Sequence, residues 1–149
     1  MMIKLHIMSN FFETSINLEV KTYDIDFAGV VSNIVYIKWI EDFRLAMLAT
    51  HYPLQNQLEK DIAPTILQTK IDYKRSIRLF DRVSGRIWIS DIQRTKWFLE
   101  AEIYAQDKVA AVVEQSGVFV SLCRSRPVAI PDDLLQKYLE FKQVNQVVS

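Results

Sequence analysis

The sequence predicts an α+β fold in which an antiparallel sheet of about five strands curls around one long central helix. Three observations lead to this prediction. A segment of alternating polar and apolar residues comes first, a long helical segment without glycine or proline follows, and four strand-like segments then succeed one another. Strands and helices with one apolar face bury that face against each other, so one sheet packed on one helix accommodates all of these elements.

Length and composition indicate one globular domain without a general affinity for nucleic acid. The 149 residues contain three glycines and four prolines, and no linker or repeat divides them. We therefore expect one domain over residues 1–149, with about the first ten residues outside its core. Lys plus Arg and Asp plus Glu each number 18, whereas a general nucleic-acid binder carries a basic excess.

The sequence also predicts a cytoplasmic location. Cys123 has no second cysteine with which to form an internal disulfide, which suits a reducing compartment. Residues 1–8 are too short for the apolar core of a signal peptide. No run approaches the ~20 apolar residues of a membrane span, so we expect no membrane-spanning segment.

Residues 12–21 alternate between apolar and polar side chains, which is typical of a half-buried strand. The alternation stops at a turn over residues 23–29. Residues 30–52 then predict a long helix, and Ser32 or Asn33 is suited to cap its start. The first turns of this helix are apolar on almost every side, so we expect the protein to cover them on most sides.

The polar residues 53–64 predict a loop, and the four segments after it are rich in β-branched and aromatic residues, which predicts strands in a meander. The last break between them, at Asp107-Lys108, resembles a tight hairpin. The predicted strands are residues 65–79, 83–93, 96–106 and 109–122. A short C-terminal helix is expected to begin at Pro131, with two aspartates in its first turn to complement the helix dipole. This order of elements is that of a hot-dog fold.

The turn and the long helix carry a motif. It consists of Asp24-x-Asp26-x-x-Gly29, then Tyr36, then Glu41-x-x-Arg44. In this spacing the chain resembles the 4-hydroxybenzoyl-CoA thioesterase family, and the resemblance continues more weakly from Phe12 to the last helix. It implies a hot-dog fold and hydrolysis of an acyl thioester, above all an acyl-CoA cleaved to a carboxylic acid and free CoA, without a cofactor.

The turn has the groups that thioester hydrolysis requires. A helix N-terminus offers unpaired N–H groups and a positive dipole end, which suit a developing oxyanion. Gly29 has no Cβ and lets a substrate approach the backbone. The resemblance implies that Asp26 is the catalytic carboxylate, as nucleophile or general base, and that the backbone N–H of Asn33 holds the thioester oxygen.

Other residues of the motif also have structural explanations. An Asp-x-Asp at a strand end is most often turn chemistry, and Asp24 is better explained by the turn than by catalysis. Glu41 and Arg44, three apart on the helix, are better explained as bracing one another or the helix. Glu41 is the reserve candidate for the catalytic carboxylate, because some hot-dog enzymes carry theirs on this helix.

Candidate substrate-binding residues lie outside the turn. Arg94 and Lys96 flank a break between two strands, where the resemblance implies contacts with CoA phosphates; a solvated charged turn explains them equally well. Tyr36 is a candidate for the acyl pocket, although an aromatic at this spacing is more often core. His6 and His51 both lie outside the turn, which argues against a His-dependent dehydratase, and no cluster has metal-ligand spacing.

The sequence leaves the substrate and the class of function open. An acyl carrier protein in place of CoA could present the acyl group, and a hot-dog domain can also bind an acyl ligand or a partner without turnover. The presence of Asp26, Gly29 and a capped helix favours the enzyme. An open sheet edge invites pairing, and the resemblance implies a homodimer or homotetramer with active sites between subunits.

Overall fold

The structure, a computed structural model, describes residues 10–148, with side chains described up to residue 145. The N-terminal segment expected outside the core, including His6, lies outside the described residues. The described strands are β1 (Phe11–Leu18), β2 (Ala63–Tyr73), β3 (Val83–Ile92), β4 (Trp97–Ala105), β5 (Lys108–Ser121) and β6 (Arg126–Val128). The described α-helices are α1 (Asn33–His51), α2 (Leu54–Glu59) and α3 (Asp132–Val148), and a 3-10 helix covers Thr22–Asp24.

The strands form one antiparallel sheet in the order β1-β3-β4-β5-β2, with β6 paired to β5. The sheet curls around α1, which confirms the predicted hot-dog fold. The predicted meander holds for β3, β4 and β5. It is wrong for β2, which pairs with β5 at the far side of the sheet instead of with its successor β3.

β2 ends well before the predicted boundary at residue 79 because the chain leaves the sheet to support the turn before α1. The backbone N–H groups of Lys74 and Arg75 both donate to the carbonyl of Ala110, where the ladder with β5 stops. The chain then runs to Ile77, which is fully buried. Its carbonyl accepts a hydrogen bond from the N–H of Val31 at 2.8 Å, so an apolar segment that looks like strand anchors the turn.

α1 packs closely on the sheet because β3 has a glycine beneath it. Phe43 is fully buried, and a Cβ on Gly85 would collide with its ring. The absence of a side chain at Gly85 therefore sets how near the helix lies to the sheet. The side chains of α1 that are buried are those of Val35, Tyr36, Trp39, Ile40, Phe43 and Met47.

A second stripe of α1 is apolar but exposed. Ile34 is 69% exposed, and Ile37 and Leu45 are each 46% exposed. Glu41 lies between them, because residues three and four apart share one side of a helix. The prediction that the first turns are covered on most sides is thus wrong for a single chain.

Residues 53–64, predicted to form a loop, contain the short helix α2. It is anchored by Gln57, whose buried side-chain amide donates to the carbonyl of Tyr52 at 2.8 Å. Only Leu54 and Leu58 mark an apolar side of α2, which is too little pattern to predict a helix from sequence.

The β4–β5 hairpin turns one residue earlier than predicted. Gln106 and Asp107 form the turn with φ values of 52° and 65°, while Lys108 already pairs with Ala105. Two successive positive φ values give the turn the twist that suits a two-residue hairpin.

The C-terminal helix begins at Asp132, one residue after the predicted start at Pro131. Pro131 precedes α3, and its carbonyl accepts a hydrogen bond from the N–H of Leu135 at 3.0 Å. None of the helices within residues 10–148 is long and apolar enough to cross a membrane.

The packing of α1 on β3 predicts the effect of Gly85→Ala. The added Cβ meets the Phe43 ring, so we expect a loss of about 1–3 kcal/mol in the free energy of unfolding, the usual cost of overpacking a core. Urea denaturation followed by tryptophan fluorescence measures it. Adding Phe43→Leu should recover part of the loss.

Ser84→Ala is the matched control, because its side chain points to the other face of β3. It should leave the unfolding midpoint nearly unchanged. A Gly85→Ala protein as stable as the wild type would contradict the close approach of α1 to the sheet.

Candidate active site

Asp26 lies in a tight turn between the 3-10 helix and α1. Its N–H donates to the carbonyl of Val30 at 2.9 Å, and the N–H of Gly29 donates to the carbonyl of Asp26 at 3.0 Å. Gly29 has a φ of +78°, a left-handed conformation that favours glycine. A Cβ at Gly29 would meet no atom within 4 Å, so the space beside this backbone is open.

The carboxylate of Asp26 is half-buried and oriented by its own turn. Oδ1 accepts a hydrogen bond from the N–H of Ala28 at 2.8 Å. Oδ2 has no hydrogen-bond partner among residues 10–148. One oxygen therefore holds the side chain in place while the other is available to a water molecule or a substrate.

Asp24 has a structural role in the same turn. It is only 8% exposed, and its Oδ2 accepts a hydrogen bond from the N–H of Lys21 at 2.8 Å. Its carbonyl accepts another from the N–H of Ser32 at 2.9 Å. These contacts cap the 3-10 helix and fix its position relative to the start of α1.

The start of α1 combines firm anchoring with an unpaired amide. Ser32, one of the two residues predicted to cap the helix, is the N-cap, and its Oγ accepts from the N–H of Ile34 at 3.4 Å. Tyr73, at the end of β2, donates its hydroxyl to the carbonyl of Asn33 at 3.2 Å. The N–H of Asn33 itself has no acceptor within the part of the chain that the structure describes. Sequence reasoning did not identify Tyr73 as the anchor of this helix end.

Tyr36 lies in the core of the chain. It is 2% exposed, with its ring 5.0 Å from that of Tyr73 and 5.5 Å from that of Trp39, measured between centroids. Burial, with a smaller contribution from Tyr73, raises the pKa of Tyr36 to about 12. Its hydroxyl is therefore neutral at physiological pH.

Arg44 connects α1 to the sheet. Its Nη1 donates to Oε1 of Gln115 at 3.1 Å, and Nε2 of Gln115 donates to Oγ1 of Thr69 at 3.0 Å. Burial lowers the pKa of Arg44, and the nearby charge of Glu41 partly offsets this. Within residues 10–148 Glu41 forms no ion pair, so the expected brace between Glu41 and Arg44 is replaced by one between helix and sheet.

Arg94 and Lys96 are exposed in the turn between β3 and β4, where the N–H of Gln93 donates to the carbonyl of Lys96 at 2.8 Å. This turn follows the last residue of β3. The Asp26 turn lies near the first residue of β3, because β1, which leads into that turn, ends with Leu18 opposite Val83.

β3 has 10 residues, and strands rise about 3.4 Å per residue. The two candidate regions of one chain are thus separated by roughly the length of the strand, about 30 Å. A single chain does not bring Arg94 and Lys96 to Asp26.

A cavity of about 330 Å³ lies between the C-terminal half of α1, α2 and the sheet. Its lining is apolar apart from a few residues, and Glu41 and Arg44 are the charged ones. The lining residues come from all three helices and from β1 through β5, so no local sequence motif reveals the cavity.

Solved structures share this fold. The DHNA-CoA thioesterase of Staphylococcus aureus superposes with a TM-score of 0.82 at 17% identity, over 92% of this chain and 95% of that one. A gentisyl-coenzyme A thioesterase superposes with a TM-score of 0.74 at 23% identity, over 82% of this chain and 99% of that one. A thioesterase of Thermus thermophilus in complex with coenzyme A and Zn superposes with a TM-score of 0.76 at 21% identity, over 91% of this chain and 98% of that one. In this chain, no group of three or more His, Cys, Asp or Glu within residues 10–148 could hold a metal ion.

Sequence comparison identifies the family. No curated protein matches the chain significantly by sequence. The model of the thioesterase-like superfamily matches residues 20–138, which include the Asp26 turn, α1 and the sheet from β2 onward. The chain therefore belongs to the thioesterase-like superfamily.

Proposed function

We propose that the chain hydrolyses acyl-CoA thioesters to a carboxylic acid and free CoA, with Asp26 as the catalytic carboxylate. The observation that carries the proposal is the half-buried carboxylate of Asp26, whose Oδ2 is unpaired among residues 10–148, on the turn that enters α1. The unpaired N–H of Asn33 at the helix start supplies a donor for the thioester oxygen. Membership of the thioesterase-like superfamily supports the same reaction.

The proposed reaction uses these two groups together. The Asn33 N–H, at the positive end of α1, stabilises the negative charge that develops on the carbonyl oxygen. Asp26 either attacks the carbonyl carbon or takes a proton from the attacking water. Collapse of the tetrahedral intermediate breaks the C–S bond, and the CoA thiolate then takes up a proton. If Asp26 attacks, water hydrolyses the resulting anhydride and restores the carboxylate.

We assign the chain to the 4-hydroxybenzoyl-CoA thioesterase type within the superfamily, acting on cytoplasmic thioesters. The support is the spacing of Asp24, Asp26 and Gly29 in the turn, with Tyr36 and Glu41-x-x-Arg44 on the helix. Glu41 remains the reserve carboxylate because it is exposed on the same helix.

The active enzyme is a homodimer at minimum, formed through β2. The other free edge strand, β1, has only 8 residues and a bulge beside Phe12, whose φ is 59°. β2 also has an irregularity, between Ile66 and Gln68, but it is the longer edge. β2 has 11 residues and exposes Ile66 and Leu67, which are 37% and 57% exposed. The exposed stripe of α1 borders this edge, since Leu45 and Ile66 line one cavity. Pairing of two β2 strands would cover both surfaces.

A dimer of this kind also accounts for Arg94 and Lys96. Trp97 pairs with Gly117 and Ala63 pairs with Val120, so the β3–β4 turn lies at the end of the sheet where β2 begins. Antiparallel pairing sets the beginning of one β2 beside the end of the other, near the Asp26 turn of the other chain. We propose that Arg94 and Lys96 bind the phosphates of CoA whose thioester is held by the partner subunit's Asp26.

The first functional prediction is that Asp26→Asn lowers kcat for acyl-CoA hydrolysis by at least ~10²-fold, the usual contribution of a positioned base or nucleophile. Asn keeps the size of the side chain and can still accept from the N–H of Ala28, but it can neither attack nor take a proton. Release of CoA thiol is measured with a chromogenic thiol reagent, and circular dichroism checks the fold.

Asp24→Asn is the matched control. It should retain most activity, because an amide oxygen can still accept from the N–H of Lys21. Glu41→Gln tests the reserve carboxylate. Near-normal turnover by folded Asp26→Asn would refute the assignment, and absence of turnover by the wild type with any acyl thioester would favour a binding module.

The second functional prediction concerns phosphate binding. Arg94→Ala with Lys96→Ala should raise KM for acyl-CoA and leave kcat nearly unchanged, because contacts remote from the carbonyl bind ground state and transition state alike. The effect should shrink at high salt. Lys137→Ala with Lys142→Ala, two exposed residues of α3, removes the same charge and should leave KM unchanged. A wild-type KM for the Arg94/Lys96 variant at low salt would show that the turn is solvated surface and does not bind the phosphates.

The third functional prediction is that light scattering gives at least twice the chain mass of 17.4 kDa. Leu67→Lys puts a charge on the exposed edge of β2, so it should shift the protein toward monomer and lower activity in parallel. Ser15→Lys, at an exposed position on the other edge strand, should change neither. A fully active monomer would exclude the two-subunit site.

A further inference from the structure

An open hollow with two exposed aromatic rings lies at the end of the sheet where β1 ends and β3 begins. Its volume is about 730 Å³, and the apolar side chains of Leu18 and Leu79 form part of its lining. Tyr23 and Phe80 line it as well, and they are 82% and 94% exposed. Two large exposed rings that share one hollow form an apolar patch, and such a patch on a soluble protein marks a contact with another molecule.

The backbone holds Phe80 at the tip of a closed turn over residues 78–81. The N–H of Asp81 donates to the carbonyl of Arg78 at 3.1 Å, and Oδ2 of Asp81 accepts from the N–H of Arg78 at 2.9 Å. Leu79 packs against the core, whereas Phe80 does not. Turn tips usually carry Gly, Pro, Asn, Asp or Ser. A phenylalanine that adds nothing to the packing of its own chain is available to an outside partner.

The backbone on both sides of the hollow is also anchored. Tyr23 belongs to the 3-10 helix, which is capped by the side chain of Asp24. At the other side, the N–H of Arg82 donates to Oε1 of Gln106 at 2.6 Å, and the carbonyl of Arg82 accepts from the N–H of Gln106 at 2.9 Å. Because both rings project from ordered backbone, a contact with them costs little further loss of chain entropy.

The loop that presents Phe80 is basic, although the whole chain has no net charge. Residues 74–82 contain one aspartate and four exposed basic residues, which are Lys74, Arg75, Arg78 and Arg82. Among residues 10–148 only Arg82 of these four forms an ion pair, with Asp107 at 2.9 Å. The other three cations are therefore available to an anionic partner.

The size of the patch favours a lipid bilayer over a protein partner. An aromatic side chain buries about 150–250 Å², whereas a stable protein interface covers about 800 Å² on each partner. Two rings fall short of that area. A bilayer interface takes up single aromatic and aliphatic side chains at the level of its headgroups, and anionic headgroups attract the Lys and Arg residues beside them.

We propose that this surface, formed by Tyr23, Phe80, Lys74, Arg75 and Arg78, binds reversibly to membranes that contain anionic lipids. The two rings enter the interface and the three cations contact the headgroups. The contact holds the proposed active-site turn close to the lipid, because Tyr23 lies at the start of that turn. The hollow is on the β1 side of the sheet, opposite the β2 edge, so membrane binding leaves the proposed dimer intact.

Flotation with lipid vesicles tests the proposal. The wild type should float with mixed vesicles of phosphatidylcholine and phosphatidylglycerol at low salt, and should stay largely unbound with phosphatidylcholine alone. High salt should weaken the binding, because it screens the charges. Tyr23→Ser with Phe80→Ser should lower the bound fraction at least ~10-fold, since binding scales with the apolar area that enters the interface. Arg75→Gln with Arg78→Gln should lower binding to the mixed vesicles by at least ~10-fold as well.

The matched controls make the same changes on α3. Leu139→Ser with Val144→Ser removes two apolar side chains that are 51% and 63% exposed. Lys137→Gln with Lys142→Gln removes two exposed charges. Both variants should float as the wild type does. Circular dichroism checks that every variant is folded, and all of the replaced side chains are exposed.

Phe80→Trp tests whether the turn enters the bilayer. Indole rings are suited to the membrane interface, so this variant should bind at least as well as the wild type. Brominated lipids quench a tryptophan that contacts the acyl region. They should quench the Phe80→Trp variant more strongly than the wild type, and equal quenching would contradict insertion of this turn.

The remaining outcomes distinguish the lipid from other partners. No flotation with mixed vesicles at low salt would overturn the proposal. If the protein then bound poly-glutamate, and Arg75→Gln with Arg78→Gln abolished that binding, the surface would belong to an acidic protein. Flotation that survives Tyr23→Ser with Phe80→Ser would place the contact elsewhere and would also overturn it. Equal binding to neutral vesicles would exclude the requirement for anionic lipid. Because none of these results depends on turnover, they can fail without affecting the proposed function.

Discussion

The start of α1 is the constraint on which the rest of the molecule depends. Three hydrogen bonds hold it from different parts of the chain: Val31 to Ile77, Ser32 to Asp24, and Tyr73 to Asn33. Because these bonds use other groups of the turn and helix, the N–H of Asn33 and Oδ2 of Asp26 stay unpaired among residues 10–148. Two unsatisfied groups of opposite polarity, held beside an open space, are what a reaction at a carbonyl needs.

The two sides of α1 differ in a way that supports the proposed dimer. One side is buried on the sheet, where Gly85 lets Phe43 approach closely. The other exposes Ile34, Ile37 and Leu45 beside an unpaired strand. Covering apolar surface gains about 25 cal/mol per Å² before the costs of association, so this face favours contact with another protein surface. In the proposed dimer this contact would place the basic β3–β4 turn of one subunit beside the carboxylate of the other.

Much of the fold could be predicted because its signals are local. Three of these signals depend only on neighbouring residues. They are the alternation in β1, the uninterrupted helix after Ser32, and the aspartates after Pro131 that complement the helix dipole. What failed depends on distant contacts. The pattern of residues within a strand does not indicate which strand it pairs with, so the pairing of β2 with β5 could not be predicted. The apolar residues around Ile77 have the pattern of a strand, but they anchor a turn. The Asp26 turn was visible as a motif, whereas the cavity was not, because its lining is assembled from eight separate elements of the fold.

The Asp26 turn and the cavity beside α1 differ in the chemical groups that they present. In the proposed reaction the turn acts on the thioester group, which is the same in every acyl-CoA, so its geometry does not select the acyl group. The cavity is lined mainly by apolar side chains, in which Tyr52 and Trp97 donate to groups of the protein while Glu41 has no partner among residues 10–148. A buried polar group left unpaired costs about 1–3 kcal/mol, so the free and paired groups of a cavity decide which polar ligands it can hold. Proteins that share this fold at 17–23% identity can thus differ, through a few internal hydrogen bonds, in the ligands that they hold.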